Sequence, residues 1–135
     1  YHRGLQRFVQ DLNRLYRAEA ALWKGDYDMD GFYWMDCSDH EHSVLSFVRQ
    51  EPGGQSRLLV VLNLTPVLRV GYRVGFPVGG PWREALNSDA AIYGGSNQGN
   101  LGGVYAEPVR MHHQPHSAAL LLPPLSVLVF QHDQR

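Results

Sequence analysis

Apolar residues near the start of the chain recur at steps of three and four: Leu5, Phe8, Val9, Leu12, Leu15 and Tyr16. This spacing predicts a helix from about Arg3 to Ala21, because positions so placed share one stripe of a helical surface. Arg3, Gln6, Arg7, Gln10, Asn13, Arg14 and Arg17 fall mostly off the stripe, so the helix is amphipathic and needs a partner surface. The helical pattern stops after Lys24-Gly25.

From Gly31 the period shortens to two and turn residues punctuate the chain. Strands are predicted at Phe32 to Cys37, Ser43 to Gln50, Arg57 to Asn63 and Leu68 to Phe76. Four more follow at Trp82 to Asn87, Val104 to Arg110, Ser117 to Leu122 and Ser126 to Gln131. Glu51-Pro52-Gly53-Gly54 has hairpin-turn chemistry, and Pro123-Pro124 turns the last pair. About eight short strands at this spacing suit a sandwich or a barrel. Leu58 to Leu62 and Val127 to Phe130 are apolar on both faces, as expected of central strands covered on both sides. One cover is the opposite sheet. The other is the N-terminal helix or a larger neighbour.

Composition narrows this only a little. The 135 residues leave room for one domain, and 44% hydrophobic with 19% charged residues is ordinary globular usage. Gly (14) and Pro (8) are frequent but clustered, which indicates a loop-rich β protein rather than disorder. A net charge of −1 disfavours nucleic acid, since phosphate contacts demand a basic surplus. No apolar run approaches the ~20 residues of a membrane-spanning helix, and no polybasic block would hold the chain to lipid. Cys37 is the single cysteine; it excludes an internal disulfide and fits a reducing, cytoplasmic setting. The chain opens at Tyr1 with neither an initiator Met nor a signal peptide, and is expected to be a piece of something longer.

Several groups of residues could carry chemistry. Asp26, Asp28, Asp30 and Gly31 imitate the start of a calcium loop, but its twelfth position requires a bidentate Glu and holds Cys37. His112, His113 and His116 could ligate a metal, yet they lie in a polar segment that reads as an exposed loop. The run from Gly94 to Gly103 lacks both GxGxxG spacing and a phosphate-binding Lys. Its Asn and Ser residues either bond sugar hydroxyls or bond the turns of their own loop, the second being the simpler reading. No GxSxG motif, credible Cys–His arrangement or paired-carboxylate signature is present, so no active site is expected. Trp34, Trp82, Tyr93 and Tyr105 could stack on sugar rings, against the plainer reading of core packing or a domain seam.

Longer stretches are recognisable as words. His2-x-Gly4-Leu5-Gln6-Arg7-Phe8-Val9-Gln10-Asp11-Leu12-Asn13 resembles the last helix of the catalytic barrel in bacterial glycogen branching enzymes. Gly31-Phe32-Tyr33-Trp34 and Ser43-Val44-Leu45-Ser46-Phe47-Val48-Arg49 are similar to the stretch entering their C-terminal β domain. Asn63-Leu64-Thr65-Pro66-Val67, the run from Trp82 to Asp89, Tyr93-Gly94-Gly95-Ser96-Asn97-x-Gly99-Asn100 and Leu122-Pro123-Pro124-Leu125 continue in order. His42, where Asn is usual, and the bulky Leu101 depart from the pattern.

The resemblance implies a mostly β fold, an antiparallel Greek-key β-sandwich of about eight strands preceded by one amphipathic α-helix. It divides the chain into residues 1–25, the terminal barrel helix plus linker, and residues 26–135, the C-terminal all-beta sandwich. The implied parent is a 1,4-α-glucan branching enzyme of the α-amylase superfamily. Such an enzyme cleaves an α-1,4 linkage through a covalent glycosyl–enzyme intermediate and passes the chain to a 6-hydroxyl. The two Asp and one Glu that do this lie upstream of Tyr1 in such proteins, so this segment inherits no catalytic residue. No metal or organic cofactor is implied.

The main expectation is a catalytically silent domain supporting an upstream barrel, on which it packs in the family. The helix, deprived of that barrel, either docks on the sandwich or is mobile. A rival expectation is an α-glucan-binding module at Trp82, Tyr93, Asn97 and Asn100. A third is a His-based metal-binding β protein.

Overall fold

The computed structural model describes residues 2–132, so residue 1 and residues 133–135, the outer ends of the two expected segments, lie outside it. The N-terminal stripe folds as helix α1, His2–Ala18, stopping three residues short of the expected Ala21. Glu19 is extended, and a 3-10 turn, Ala20–Leu22, follows. Tertiary bonds account for the break. The Glu19 carboxylate accepts from Ser56 Oγ at 3.0 Å and from the Gln131 amide, while Ala21 is driven flat onto the sheet.

Eight strands follow among the described residues: β1 Phe32–Asp39, β2 Val44–Gln50, β3 Arg57–Asn63, β4 Arg69–Phe76, β5 Gly80–Asn87, β6 Gly103–Ala106, β7 His116–Leu122 and β8 Ser126–His132. All are paired antiparallel, in a six-stranded sheet ordered β1-β2-β3-β8-β5-β6 and a two-stranded sheet β4-β7. The sixth strand is shorter than expected because Pro108 brings no amide to a ladder. Among the described residues beyond β6, the backbone of Glu107 alone pairs across, bridging Ser117 of β7, whose hydroxyl also donates to the Val109 carbonyl. That bridge completes the spatial order β8-β5-β6-β7, the Greek key expected of the fold. In β4 the register shifts between Arg69 and Tyr72, where Gly71 takes a φ of 69°, a left-handed position that glycine adopts without a steric penalty.

Period-2 alternation splits the apolar residues between two cores. Between the sheets lie Met35, Val44, Val48, Leu59, Val61, Val74, Phe76, Trp82, Leu120, Leu128 and Phe130, with their neighbours. On the outer face of the large sheet, Leu58, Val60, Leu86 and Val129 pack with Ala21 and with Phe8, Leu15, Leu22, Phe47 and Tyr93. The both-faced strands β3 and β8 are therefore covered twice, and α1 with its 3-10 turn supplies the second cover.

Candidate functional site

Trp82 is 1% exposed, inside the core. Its indole N–H donates to the Val78 carbonyl at 2.9 Å, and its ring meets Phe76 edge-on at 5.1 Å. No face of it is open to a sugar, which corrects the expectation for this residue. The alternation along β5 points Trp82 inward, towards β4.

The other three residues of the expected sugar site are occupied with structure. Asn100 accepts from the Leu121 amide at 2.8 Å, donates to the Leu121 carbonyl at 3.0 Å and bonds Glu84, acting as a partner for β7. Asn97, at a φ of 64°, accepts from the Ala91 amide at 3.0 Å. Asp89 gathers the Ser96 hydroxyl and the amides of Ser96 and Gln98. The glycine-rich run thus bonds its own turns.

Tyr93 anchors the helix. Its hydroxyl donates to Asp11 at 2.6 Å, its ring meets Phe8 edge-on at 5.2 Å, and a Cβ at Gly4 would collide with its carbonyl group. The hydrogen bond from Tyr93 is the largest influence holding the Asp11 carboxyl below its usual range. Burial, reinforced by Asp11, pushes the phenol up to about 12. A depressed carboxyl favours the docked helix above the carboxylate range and loses that preference as pH falls through it. Tyr93→Phe is expected to return Asp11 towards its ordinary pKa, read by carboxyl NMR titration, and to lower amide protection in α1 relative to β3. An unmoved Asp11 would show that the bond is not formed in solution. Beside Tyr93 a cavity of about 290 Å³ opens between α1 and β5. Its charges are already engaged: Arg7 and Arg14 with Asp11, Arg83 with Gln131.

Among the described residues, no group of three or more His, Cys, Asp or Glu side chains is placed to hold a metal ion. His112 and His113 are instead the central pair of a two-residue turn. Both have positive φ (51° and 63°), and Met111 and Gln114 exchange both backbone hydrogen bonds across it. Asp28 caps a 3-10 turn by accepting from the Asp30 amide, and Asp26 pairs with Arg49. No helix among the described residues is long and apolar enough to cross a membrane.

What remains unsatisfied is a surface. Helix α1 carries two apolar stripes, not one, roughly a quarter-turn apart at ~100° per residue. Phe8 and Leu15 face the sheet. Leu5 (63%), Val9 (46%), Leu12 and Tyr16 (47%) are exposed. The outer face of the large sheet is also left open at its β1 end. There Phe32 and Trp34 (49% exposed) stack edge-on at 5.3 Å and close against Phe47. Of the aromatic set, Trp34 and Tyr105 (65%, on β6) are the exposed members. Trp23, Tyr27 and Met29, on the segment leading into β1, are exposed as well. These exposed apolar groups on α1, the linker and β1 are the candidate interaction surface. The second helical stripe was readable at i, i+4, i+7, i+11 from Leu5, but merges with the first unless the helix's neighbours are known.

Residues 34–133 match the family described as alpha amylase, C-terminal all-beta domain. The chain is also similar to three 1,4-alpha-glucan branching enzymes named GlgB. The one from Prochlorococcus marinus (strain MIT 9303) is 49% identical over 134 residues, covering 99% of this chain and 18% of that protein. The one from Synechococcus sp. (strain CC9605) is 52% identical over 134 residues with the same coverages of 99% and 18%. The one from Aquifex aeolicus (strain VF5) is 51% identical over 132 residues, 98% of this chain and 21% of that protein. The chain therefore spans about a fifth of the length of these relatives. With the family model matching residues 34–133, most of the all-antiparallel β sandwich, the chain belongs to the alpha amylase C-terminal all-beta domain family.

Proposed function

We propose that this chain is the C-terminal β domain of a 1,4-α-glucan branching enzyme, and that it supports the catalytic barrel without taking part in the chemistry. In this reading residues 1–25 are the last barrel helix with its linker, and residues 26–135 are the sandwich. The whole enzyme, a cytoplasmic protein in the same reading, would cut an α-1,4 linkage and rejoin the chain at a 6-hydroxyl. The observation that carries the proposal is the uncovered apolar surface of α1 and β1 on a chain so similar to proteins about five times its length. Burying a large apolar side chain is worth ~1.5–3 kcal/mol, so closing the second stripe of α1 and the Phe32–Trp34 pair would fasten two bodies firmly.

The carboxyls support a silent role. Retaining glycosyl transfer needs two carboxyl groups roughly 5–5.5 Å apart and free to meet one bond. Here Asp36, Asp39, Glu84 and Asp89 are each committed to local hydrogen bonds that shape turns or join strands.

The test is a chimaera in which this chain replaces the matching 132 residues of the Aquifex aeolicus relative. It is expected to unfold as one cooperative unit and to branch amylose. Val9→Asp with Trp34→Asp should lower its activity at least tenfold while leaving the isolated 135-residue chain folded. Activity and melting temperature unmoved by that pair would overturn the proposal. In a native gel containing glycogen, the isolated chain is expected to run as it does without glycogen. Retardation abolished by Tyr93→Ala in a folded variant would favour the glucan-binding reading instead.

A further inference from the structure

A cluster of ionisable side chains sits where β1, the edge of the large sheet, meets β4 of the small one. Asp39 accepts from the Tyr72 phenol, from His42 Nδ1 at 2.9 Å and from the His42 amide at 3.2 Å. Asp36 accepts from the Ser38 amide and hydroxyl, and lies 3.3 Å from His112 Nε2. The His112 and Asp36 side chains are only 13% and 16% exposed. On its other side, His112 Nδ1 receives the Gly75 amide of β4 at 3.0 Å.

The Gly75 contact selects the protonation state. A backbone N–H only donates, so Nδ1 must present a lone pair, and the single ring proton must be on Nε2, facing Asp36. The neutral Nε2–H tautomer thus accepts the Gly75 N–H at Nδ1 and keeps its proton on the side of Asp36, 3.3 Å away. A second proton has only Nδ1 to occupy, where it would point at the Gly75 N–H, and that bond must break. We propose that His112 is an acid-operated latch. As the neutral Nε2–H tautomer it ties the Met111–Gln114 turn to both sheets, and its protonation releases Gly75 and loosens the turn from β4.

The surroundings make the release consequential. The turn lies so close to β4 that a Cβ at Gly75 would stand 2.6 Å from the Met111 carbonyl oxygen. His112 and His113 both hold left-handed backbone, which non-glycine residues adopt only when the surroundings impose it. The charged groups acting on His112 are Asp36 and Asp39 from β1 and His113 from its own turn, while β4 presents the Gly75 amide and, against Asp39, the Tyr72 phenol. Burial is the largest influence and holds the imidazole below its usual range, against the upward pull of the two aspartates. Since the unfolded imidazole titrates near ~6.5, the latch is closed at neutral pH. Acidification lets the unfolded chain bind the proton first. The latch's contribution to stability is therefore complete above ~6.5 and is lost as pH falls towards the folded value.

The test is ¹⁵N NMR on the intact 135-residue chain. Long-range imidazole correlations at pH 7.5 should show His112 protonated on Nε2. As His112 titrates, exchange protection of the Gly75 amide, corrected for intrinsic rate, should fall at least tenfold while that of Val60 in β3 holds. An Nδ1–H tautomer at pH 7.5, or Gly75 protection that ignores the titration, overturns the latch. His112→Asn keeps a side-chain acceptor on a residue tolerant of left-handed backbone, and should abolish the pH step at Gly75. A step that persists in that variant also overturns it, by placing the switch on another group; the wild-type measurement decides even if the variant is unstable.

Discussion

Trp82→Ala is expected to destabilise the chain by about 3–5 kcal/mol, the usual range for removing a buried aromatic. The indole is 1% exposed at the centre of the inter-sheet core. It touches Phe76 of β4 and His132 of β8, so its removal opens a void between the two sheets rather than at a rim that could collapse. Its N–H also satisfies the Val78 carbonyl, which would be left without that donor. Against the 5–15 kcal/mol of a typical domain, such a loss brings the fold near its threshold. Urea denaturation at pH 7 measures it. Trp23 and Trp34, both exposed, remain as fluorescent reporters of the variant. A loss under 1 kcal/mol would mean that the sheets close over the gap, or that the ring is not in the core. Trp82→Phe should fall between, because it fills part of the space but makes no bond to Val78.

Asn63→Ala is expected to cost about 2–4 kcal/mol, although the side chain is small and carries no charge. Asn63 is buried where two crossings between the sheets pass each other, after β3 and after β7. Its amide donates to the carbonyls of Val67 and Pro123, each at 2.9 Å, and its oxygen accepts from the Thr65 amide and hydroxyl. Alanine leaves the buried Pro123 carbonyl, and the partly buried Val67 and Thr65 groups, without these partners, which is the costly half of the hydrogen-bond asymmetry. Asn63→Asp preserves shape but sets a carboxylate against two carbonyl oxygens. Its folded pKa would be raised, so its deficit should grow as pH rises through the ordinary carboxylate range and shrink in acid. Urea denaturation of both variants at pH 4 and pH 7 reads this; an Asp deficit independent of pH would show that the site is open to water.

The words of the sequence identified this residue's neighbourhood before its role. Asn63-Leu64-Thr65-Pro66-Val67 was legible as family pattern, and Thr65 two residues after Asn63 is the local turn bond one would expect. Nothing local revealed that Pro123, sixty residues on, completes the pocket. Asn97 and Asn100 repeat the lesson. As a polar, glycine-rich run they invite a sugar, and only the partner strand, with Leu121 offering both its amide and its carbonyl, shows Asn100 to be spoken for.

Strand by strand, the sequence by itself determined the fold. Alternation and turn residues located all eight strands within a few residues, since both signals arise within the span of a single strand and its turns. The same local words determined the family. Tertiary structure alone decided which apolar faces are used. It put Trp82 in the core and left Trp34 outside, for an aromatic in a strand looks the same whether or not a sheet lies opposite. It ended α1 at Ala18, because Glu19 finds Ser56 and Gln131, residues far along the chain. It divided one helical stripe into a docked half and an open half, and turned a histidine cluster into a hairpin turn tied to β1 and β4. In each case the deciding contact joins residues distant in sequence, where periodicity and propensity carry no information.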